Sequence, residues 1–190
     1  MSNIFIISDT HFGHNAAVMH FKREDGSPLR AFESVEACDE HMVDNWNSVV
    51  GKSDKVYHLG DVVMPKNHKS LAILARLNGE KVLIKGNHDE LKACKYLEHF
   101  KDIRGTHLLA NIVLSHVPVH PASLLRWRAN IHGHLHNHAV LEAGYVNNDK
   151  QVMYREGFED PKYFCASVER INYTPIPFET VNSIFKARGL

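Results

Sequence analysis

An α/β fold of two packed sheets with outer helices is what the sequence predicts, and three features predict it. Short apolar runs of strand length recur along the chain, amphipathic helical segments separate the first three of them, and strand-like segments dominate the second half. Several runs also end at once in residues able to ligate a metal. In open sheets that carry helices on their faces, such endings gather beyond the carboxyl ends of the strands, so separate stretches of sequence can form one site.

Asn3 to Ser8 contains the first strand, which leads into the turn Asp9-Thr10-His11-Phe12-Gly13-His14 and a short helical piece near Ala16 to Phe21. Lys22 to Phe32, with Gly26-Ser27-Pro28, reads as a polar loop long enough to fold over a site. Ser34 is placed to cap a helix in which Val35, Cys38, Met42, Trp46 and Val49 recur at helical spacing until Gly51 stops it. Lys55 to Gly60 is the second strand. Leu71, Leu74, Ala75 and Leu77 mark another amphipathic segment, closed by Asn78-Gly79 ahead of a buried strand from Val82 to Lys85. A helix follows from Asp89 to about His99. Strand-like segments are expected at Thr106 to Ala110, Asn111 to Ser115, Asn130 to Ile131, Ala139 to Val146 and Tyr163 to Tyr173, before a closing helix from Phe178 to Arg188.

The 190 residues suit one domain, 1–190. Lys plus Arg and Asp plus Glu each number 22, so the zero net charge gives no support for a polyelectrolyte-binding surface. Cys38, Cys94 and Cys165 are widely spaced and odd in number, which suits buried thiols in a reducing compartment rather than a disulfide scaffold or a zinc ribbon. The first apolar run is too short for a signal-peptide core, and no run approaches the ~20 apolar residues that span a bilayer. A soluble cytoplasmic protein without membrane contact is expected.

The metal-competent residues at the strand ends are Asp9 and His11, Asp61, Asn87, His116, and His134 with His136. In an extended segment residues two apart share a side, so Asp9 with His11, and His134 with His136, can each converge on one centre. Seven oxygen and imidazole ligands exceed the needs of one four-coordinate zinc and argue for two divalent ions, held about 3.5–4 Å apart when a carboxylate is shared. Manganese is the leading expectation, with iron, nickel or zinc compatible with the same donors.

The ordered set Asp-x-His, Gly-Asp, Gly-Asn-His-Asp, His, Gly-His-x-His, spread from Asp9 to His136, resembles the calcineurin-like metallophosphoesterase superfamily. The resemblance implies an αββα sandwich of two mixed sheets flanked by helices, the metallo-dependent phosphatase-like fold. It implies that Asp9, His11 and His136 bind one metal, that Asn87, His116 and His134 bind the other, and that Asp61 bridges both. It further implies that His88 stays unligated, contacts phosphate and protonates the leaving oxygen, while a metal-bridging water or hydroxide attacks phosphorus. A histidine suits that role near neutral pH. The segment after His136 carries none of the expected ligands and is read as structural.

Two departures follow Asp61. Where the protein serine/threonine phosphatases continue Gly-Asp-x-x-Asp-Arg-Gly, this chain has Val62-Val63-Met64-Pro65. Met64 replaces the carboxylate that would orient the histidine and Pro65 replaces a phosphate-gripping arginine, which speaks against a phosphoprotein phosphatase. His14, Arg23 and Arg30 are the candidates to bind substrate instead, through a loop 22–32 that closes over it; His120, Arg126 and Arg128 are further candidates. His58, His132 and Trp46 are expected to be packed. Trp127, between two arginines, is expected to be a partly buried anchor, and an aromatic so placed can stack on a nucleobase.

The expected substrate is a small phosphomonoester or phosphodiester, with nucleotides among the candidates. Zero net charge and the lack of a second domain to hold nucleic acid weigh against a nuclease of the same superfamily. Retention of His88 and all seven ligands weighs against a non-catalytic metal-binding scaffold.

Overall fold

The computed structural model describes residues 2–64, 70–146 and 151–190; Pro65 and His68 lie outside them. One sheet contains β1 (Ile4–Ile7), β2 (Lys55–His58), β3 (Glu80–Ile84) and β4 (Asp102–Arg104), all parallel, with β11 (Ile176–Pro177) antiparallel to β1. Its order is β11-β1-β2-β3-β4. The second sheet, ordered β10-β7-β6-β5, contains β5 (Thr106–Leu109), β6 (Ile112–Ser115), β7 (Ala129–His132) and β10 (Tyr163–Cys165). Its one antiparallel pair is β5 with β6. An antiparallel ribbon of β8 (Leu141–Val146) and β9 (Val152–Glu159) stands apart from both.

Alternation along the strands separates two apolar clusters. Phe5, Ile7, Val56 and Leu83 face the helical layer, where they meet Cys38, Met42 and Trp46 of α2 (Val35–Val49) and Tyr96 of α4 (Ala93–Leu97). Ile6, Tyr57, Val82 and Ile84 point the other way, onto Ile112, Leu114, Ala129 and Ile131 of the second sheet. Strands of the first sheet are thus buried on both faces, which is why they read as unbroken apolar runs. The short helices α1 (Asn15–Met19) and α3 (Leu71–Leu74) complete the first half. Ser34 caps α2 as expected, its Oγ accepting the Ala37 amide at 3.0 Å.

Irregular chain around Val119 meets the outer face of the second sheet. Asn130 and Tyr163 lie on that face, and both bind the backbone of Val119, through Asn130 Oδ1 at 3.0 Å and the Tyr163 hydroxyl at 2.7 Å. The closing helix α5 (Phe178–Ala187) buries Phe178, Val181 and Phe185 in the cluster between the sheets. Arg188, just past its end, donates to the carbonyls of Pro161 and Tyr163 at 3.1 Å, while Asn182 accepts from Arg128. Arg128 is therefore an anchor of α5.

The strand expected from Tyr163 to Tyr173 ends at Cys165, and turns follow in which Asn172 and Tyr173 take φ of 52° and 54°. It ends there because the next residues leave β7 and join β1. Cys94 is exposed, unlike buried Cys38 and Cys165, and all three are free. Among the described residues no helix is long and apolar enough to cross a membrane.

Trp46 is 1% exposed, and its indole N–H donates to the Asn78 carbonyl at 3.0 Å, so it ties α2 to the turn before β3. Trp46→Ala is expected to cost ~3–5 kcal/mol through the cavity left behind. Urea unfolding of the purified variant measures it, and a loss below ~1 kcal/mol would mean that this helix contributes little to the core.

Candidate metal centre

The two sheets are sewn together where their strands end. The Ser8 amide donates to Ala166 at 2.9 Å, Val168 donates back to Ser8 at 3.1 Å, and the Ala166 amide reaches His132 at 2.7 Å, so the chain after β10 links the ends of β1 and β7. Asp9 follows β1, Asp61 β2, Asn87 β3, His116 β6 and His134 β7, each within three residues of the strand end. The seam brings all five ends to one place. Asp9 carries it across the sheets: its carboxylate accepts the His134 amide at 2.9 and 3.1 Å.

Two groups of side chains there could each hold a metal ion: Asp9, His11 and His136, and Asp61, His116 and His134. Within each group the donor atoms lie within 4.8 Å of one another, a spacing compatible with ligands about 2.0–2.2 Å from a common ion. Asn87 joins the second group, its Oδ1 2.9 Å from both His116 Nε2 and His134 Nδ1. Asp61 Oδ2 faces both groups, 3.5 Å from His11 Nε2 and 3.4 Å from His116 Nε2. His134 and His136 thus part company, although their spacing in an extended chain suggests a shared centre.

The reason is that these segments are not extended. Asp9, His11, Asp61, His134 and His136 all have positive φ, between 46° and 68°, in the left-handed region that non-glycine residues seldom occupy. Close approach of the turns is a second local constraint. A Cβ at Gly133 would overlap Ser8 Oγ and Asp9 Oδ2, and one at Gly86 would overlap Asp61 Oδ1. Glycine is required at both because a neighbouring ligand occupies the space of its missing side chain.

Around the ligands lies a layer of orienting contacts. The His116 Nδ1–H donates to the Leu59 carbonyl at 2.7 Å, which leaves Nε2 for the site. Asp89 accepts three backbone amides, from Asp61 at 2.9 Å, Val62 at 3.0 Å and Gly86 at 2.8 Å, and so locks the two turns that carry Asp61 and Asn87. The segment after His136, expected to be only structural, reaches the site as well. Ser167 Oγ donates to Asp9 Oδ2 at 2.8 Å, and the fully buried Glu169 carboxylate lies 3.2 Å from His136 Nδ1. Asp89 was visible as the last residue of its motif. Ser167 and Glu169 have no local signal, since only the seam brings them in.

Arg30 is not free to grip phosphate, contrary to expectation. It is 1% exposed; its Nε donates to Glu169 at 2.8 Å, and its two terminal nitrogens donate to the carbonyls of Thr10 at 2.8 Å and Asp9 at 2.6 Å. A buried guanidinium with these partners clamps the first turn. The loop 22–32 folds on itself, with Lys22 bridged to Pro28 and the Arg23 guanidinium 3.5 Å from the Leu29 carbonyl. His14 lies beside the site, its ring centroid 5.3 Å from that of His11. His88 is exposed, 5.5 Å from His11 between ring centroids, and belongs to neither group, while its amide donates to Asp61 Oδ1 at 2.8 Å. Met64 lies next to the site through its amide, which donates to Phe12 at 3.1 Å. Arg126 is exposed, His120 caps the 3₁₀ turn Pro121–Leu124, and Trp127 is 37% exposed.

Burial sets the electrostatics. It pushes the Asp9 carboxyl up, even against the charges of His136 and His116, and it holds His11 well below the ordinary imidazole range, with the Arg30 charge adding to the effect. Burial also opposes ionisation of Asp61, but the hydrogen bond and charge of His116, with His11 and the His88 amide, outweigh it and hold that carboxyl down to about 2. Two carboxylates and four imidazoles in little water form a set in which a dication would relieve the desolvation of Asp9, so the residues present fit metal ions. His58 and His132 are buried and neutral, pushed down by desolvation to about 3 and about 4. Both are packed groups, as expected: His58 bonds Thr10 Oγ1 at 3.0 Å, and His132 donates from Nδ1 to the Gly133 carbonyl at 2.8 Å.

No protein-family model matches the chain. The uncharacterized protein MJ1445 of Methanocaldococcus jannaschii is 33% identical over 95% of this chain and 90% of its own length. A protein of unknown function from Aquifex aeolicus, AQ665, shares the fold with a TM-score of 0.63 and 23% identity over 97% of this chain and 100% of its own. A solved archaeal phosphodiesterase aligns over 82% of this chain and 84% of its own at 20% identity, but its TM-score of 0.42 is too low to establish a common fold.

Replacing Glu169 with Gln keeps the shape but removes the charge that orients His136. Affinity for manganese in the Asp9, His11 and His136 group is expected to fall about 10–100-fold. Titration followed by calorimetry should resolve one weakened site beside one unaltered site. Two unaltered sites would leave Glu169 only its contact with Arg30.

Proposed function

We propose that this chain, which belongs to the same family as MJ1445, is a dinuclear metal-dependent phosphoesterase related to the calcineurin-like enzymes, acting on a small phosphate ester. The observation that supports it most is the position of Asp61 Oδ2, 3.5 and 3.4 Å from the nearest imidazole nitrogens of the two ligand groups. One carboxylate so placed can serve two ions. Bound in the two groups, divalent ions would supply a lowered pKa of water and neutralisation of charge growing on the phosphoryl oxygens. Manganese suits the mixed carboxylate, amide and imidazole donors, as do iron, nickel and zinc.

The chain's own residues divide the remaining work. Asp61 keeps Oδ1 on the His88 amide, which fixes the carboxylate plane and leaves Oδ2 turned to the ligand groups. The same hydrogen bond fixes the backbone of His88. Its imidazole is then held at the open side of the site, where it can give a proton to the leaving oxygen. His14 is pushed below the ordinary imidazole range by burial first and then by the Arg30 charge, so at neutral pH it meets a phosphate oxygen as a neutral hydrogen-bond donor. Arg30 acts one step back by holding the carbonyls of Asp9 and Thr10.

Protein purified with excess manganese is expected to bind two ions, and Asp61→Ala is expected to lose tightly held metal together with activity. Elemental analysis measures this. A single ion in the wild type, with full activity in Asp61→Ala, would exclude the dinuclear reading.

His88→Asn is expected to retain both ions and to lose about 10²–10⁴ in rate. The loss should be smaller on p-nitrophenyl phosphate than on an unactivated alkyl ester, because a good leaving group needs little protonation. Equal losses would make His88 a phosphate-binding group, and loss of metal would make it a ligand.

A further inference from the structure

Two cavities open onto the ligand set from different sides. The larger, about 580 Å³, is bounded by Phe21, Lys22, Leu29 and His138 together with the ligands His134 and His136. The other, about 480 Å³, is bounded by Lys85, Thr106, Val117 and Val119 together with the ligands Asn87 and His116. They share no lining residue. The sheet orders explain the separation: the first lies toward the ends of β1 and β7, the second toward β3, β4, β6 and β5, and Asp61 follows β2, which lies between β1 and β3. Each is large enough for an organic group of nucleoside size. Each also combines apolar walls with one exposed lysine.

From this geometry we infer that the substrate is a phosphodiester with an organic arm in each cavity, and that the arm in the larger cavity carries an aromatic ring stacked on Phe21; the inference rests on the phosphoesterase reading above. A phosphomonoester has one organic group and would fill one cavity. A diester has two arms diverging from phosphorus, which matches two separate cavities meeting at the ligands. Phe21 is 45% exposed and forms part of the wall of the larger cavity, next to the ligands His134 and His136. It is held in position, its ring edge-on to His14 at 5.4 Å and its carbonyl accepting the Leu29 amide at 2.8 Å. A ring fixed beside a phosphate site is a stacking platform for a planar base. Lys22 and Lys85 supply one positive charge to each arm. In the reaction one P–O bond forms to a water oxygen and one P–O bond to an arm breaks. That arm leaves as an alcohol with a proton, the other stays on a phosphomonoester, and the second water proton is released.

The test compares kcat/KM, with manganese, for p-nitrophenyl phosphate, methyl p-nitrophenyl phosphate and thymidine 5′-(p-nitrophenyl phosphate). The methyl diester is expected to exceed the monoester at least tenfold, and the thymidine diester to exceed the methyl diester about tenfold. Phe21→Ala should remove the thymidine-to-methyl advantage. Thr106→Trp, which fills the second cavity from an exposed position, should lower the diester-to-monoester ratio at least tenfold. Preference for the monoester, or ratios that neither variant moves, would overturn this inference and leave the phosphoesterase reading standing. No hydrolysis of any of the three by protein carrying two ions would overturn both.

Discussion

Everything at the site depends on the seam in which Ser8 and Asp9 are held between the two sheets. The Asp9 amide donates to the Gly60 carbonyl, just past β2, at 3.0 Å, the Ser8 amide donates to Ala166 at 2.9 Å, and Ser8 Oγ donates to the Leu59 carbonyl at 3.1 Å. The fully buried Asp9 carboxylate then accepts from Ser167 and His134. A carboxylate with no water around it is costly unless its oxygens are bonded, so the arrangement leaves little freedom to either sheet. Asp9, Asp61 and the His134–His136 turn are remote in sequence, and the packing of the strand ends makes them neighbours.

The seam also explains how so much left-handed backbone persists. A non-glycine residue in that region costs about 1–3 kcal/mol unless its surroundings compel it. Five ligand positions adopt it here. Asp89 holds one pair of turns by three amides, and Arg30 holds another by two carbonyls, so the strain is balanced by buried, charge-assisted hydrogen bonds. Side chains on turns held in this way have few alternative positions.

The same packing determines which cations are available to a substrate. Burying Arg30 against Glu169 removes from the cleft one of the two arginines of the first loop, and it gives His136 a carboxylate partner. Lys22 and Lys85 line the two cavities, one on each side of the ligand groups. The chain as a whole carries no net formal charge, which gives no support for a polyanion held along a basic surface.

The sequence alone indicated the strands that end in candidate ligands, because an apolar run that stops at a polar, metal-competent residue is a local pattern, whereas β4, β9 and β11 do not follow that pattern. Hence the strand cores, the cap at Ser34, the helix carrying Trp46 and the residues at the five strand ends were legible. Strand periodicity did not determine which residues would share a centre, although the motif resemblance implies the division that the two groups follow. The spacing of His134 and His136 suggests one ion by strand periodicity, yet positive φ at both residues sends the two rings to different groups. Nor did the sequence show that Arg30 would turn inward, that the strand after Tyr163 would stop at Cys165, or that Ser167 and Glu169 would reach the site. Each of those outcomes is decided by a contact between chain segments far apart in sequence, where burial and hydrogen-bond satisfaction outweigh local propensity.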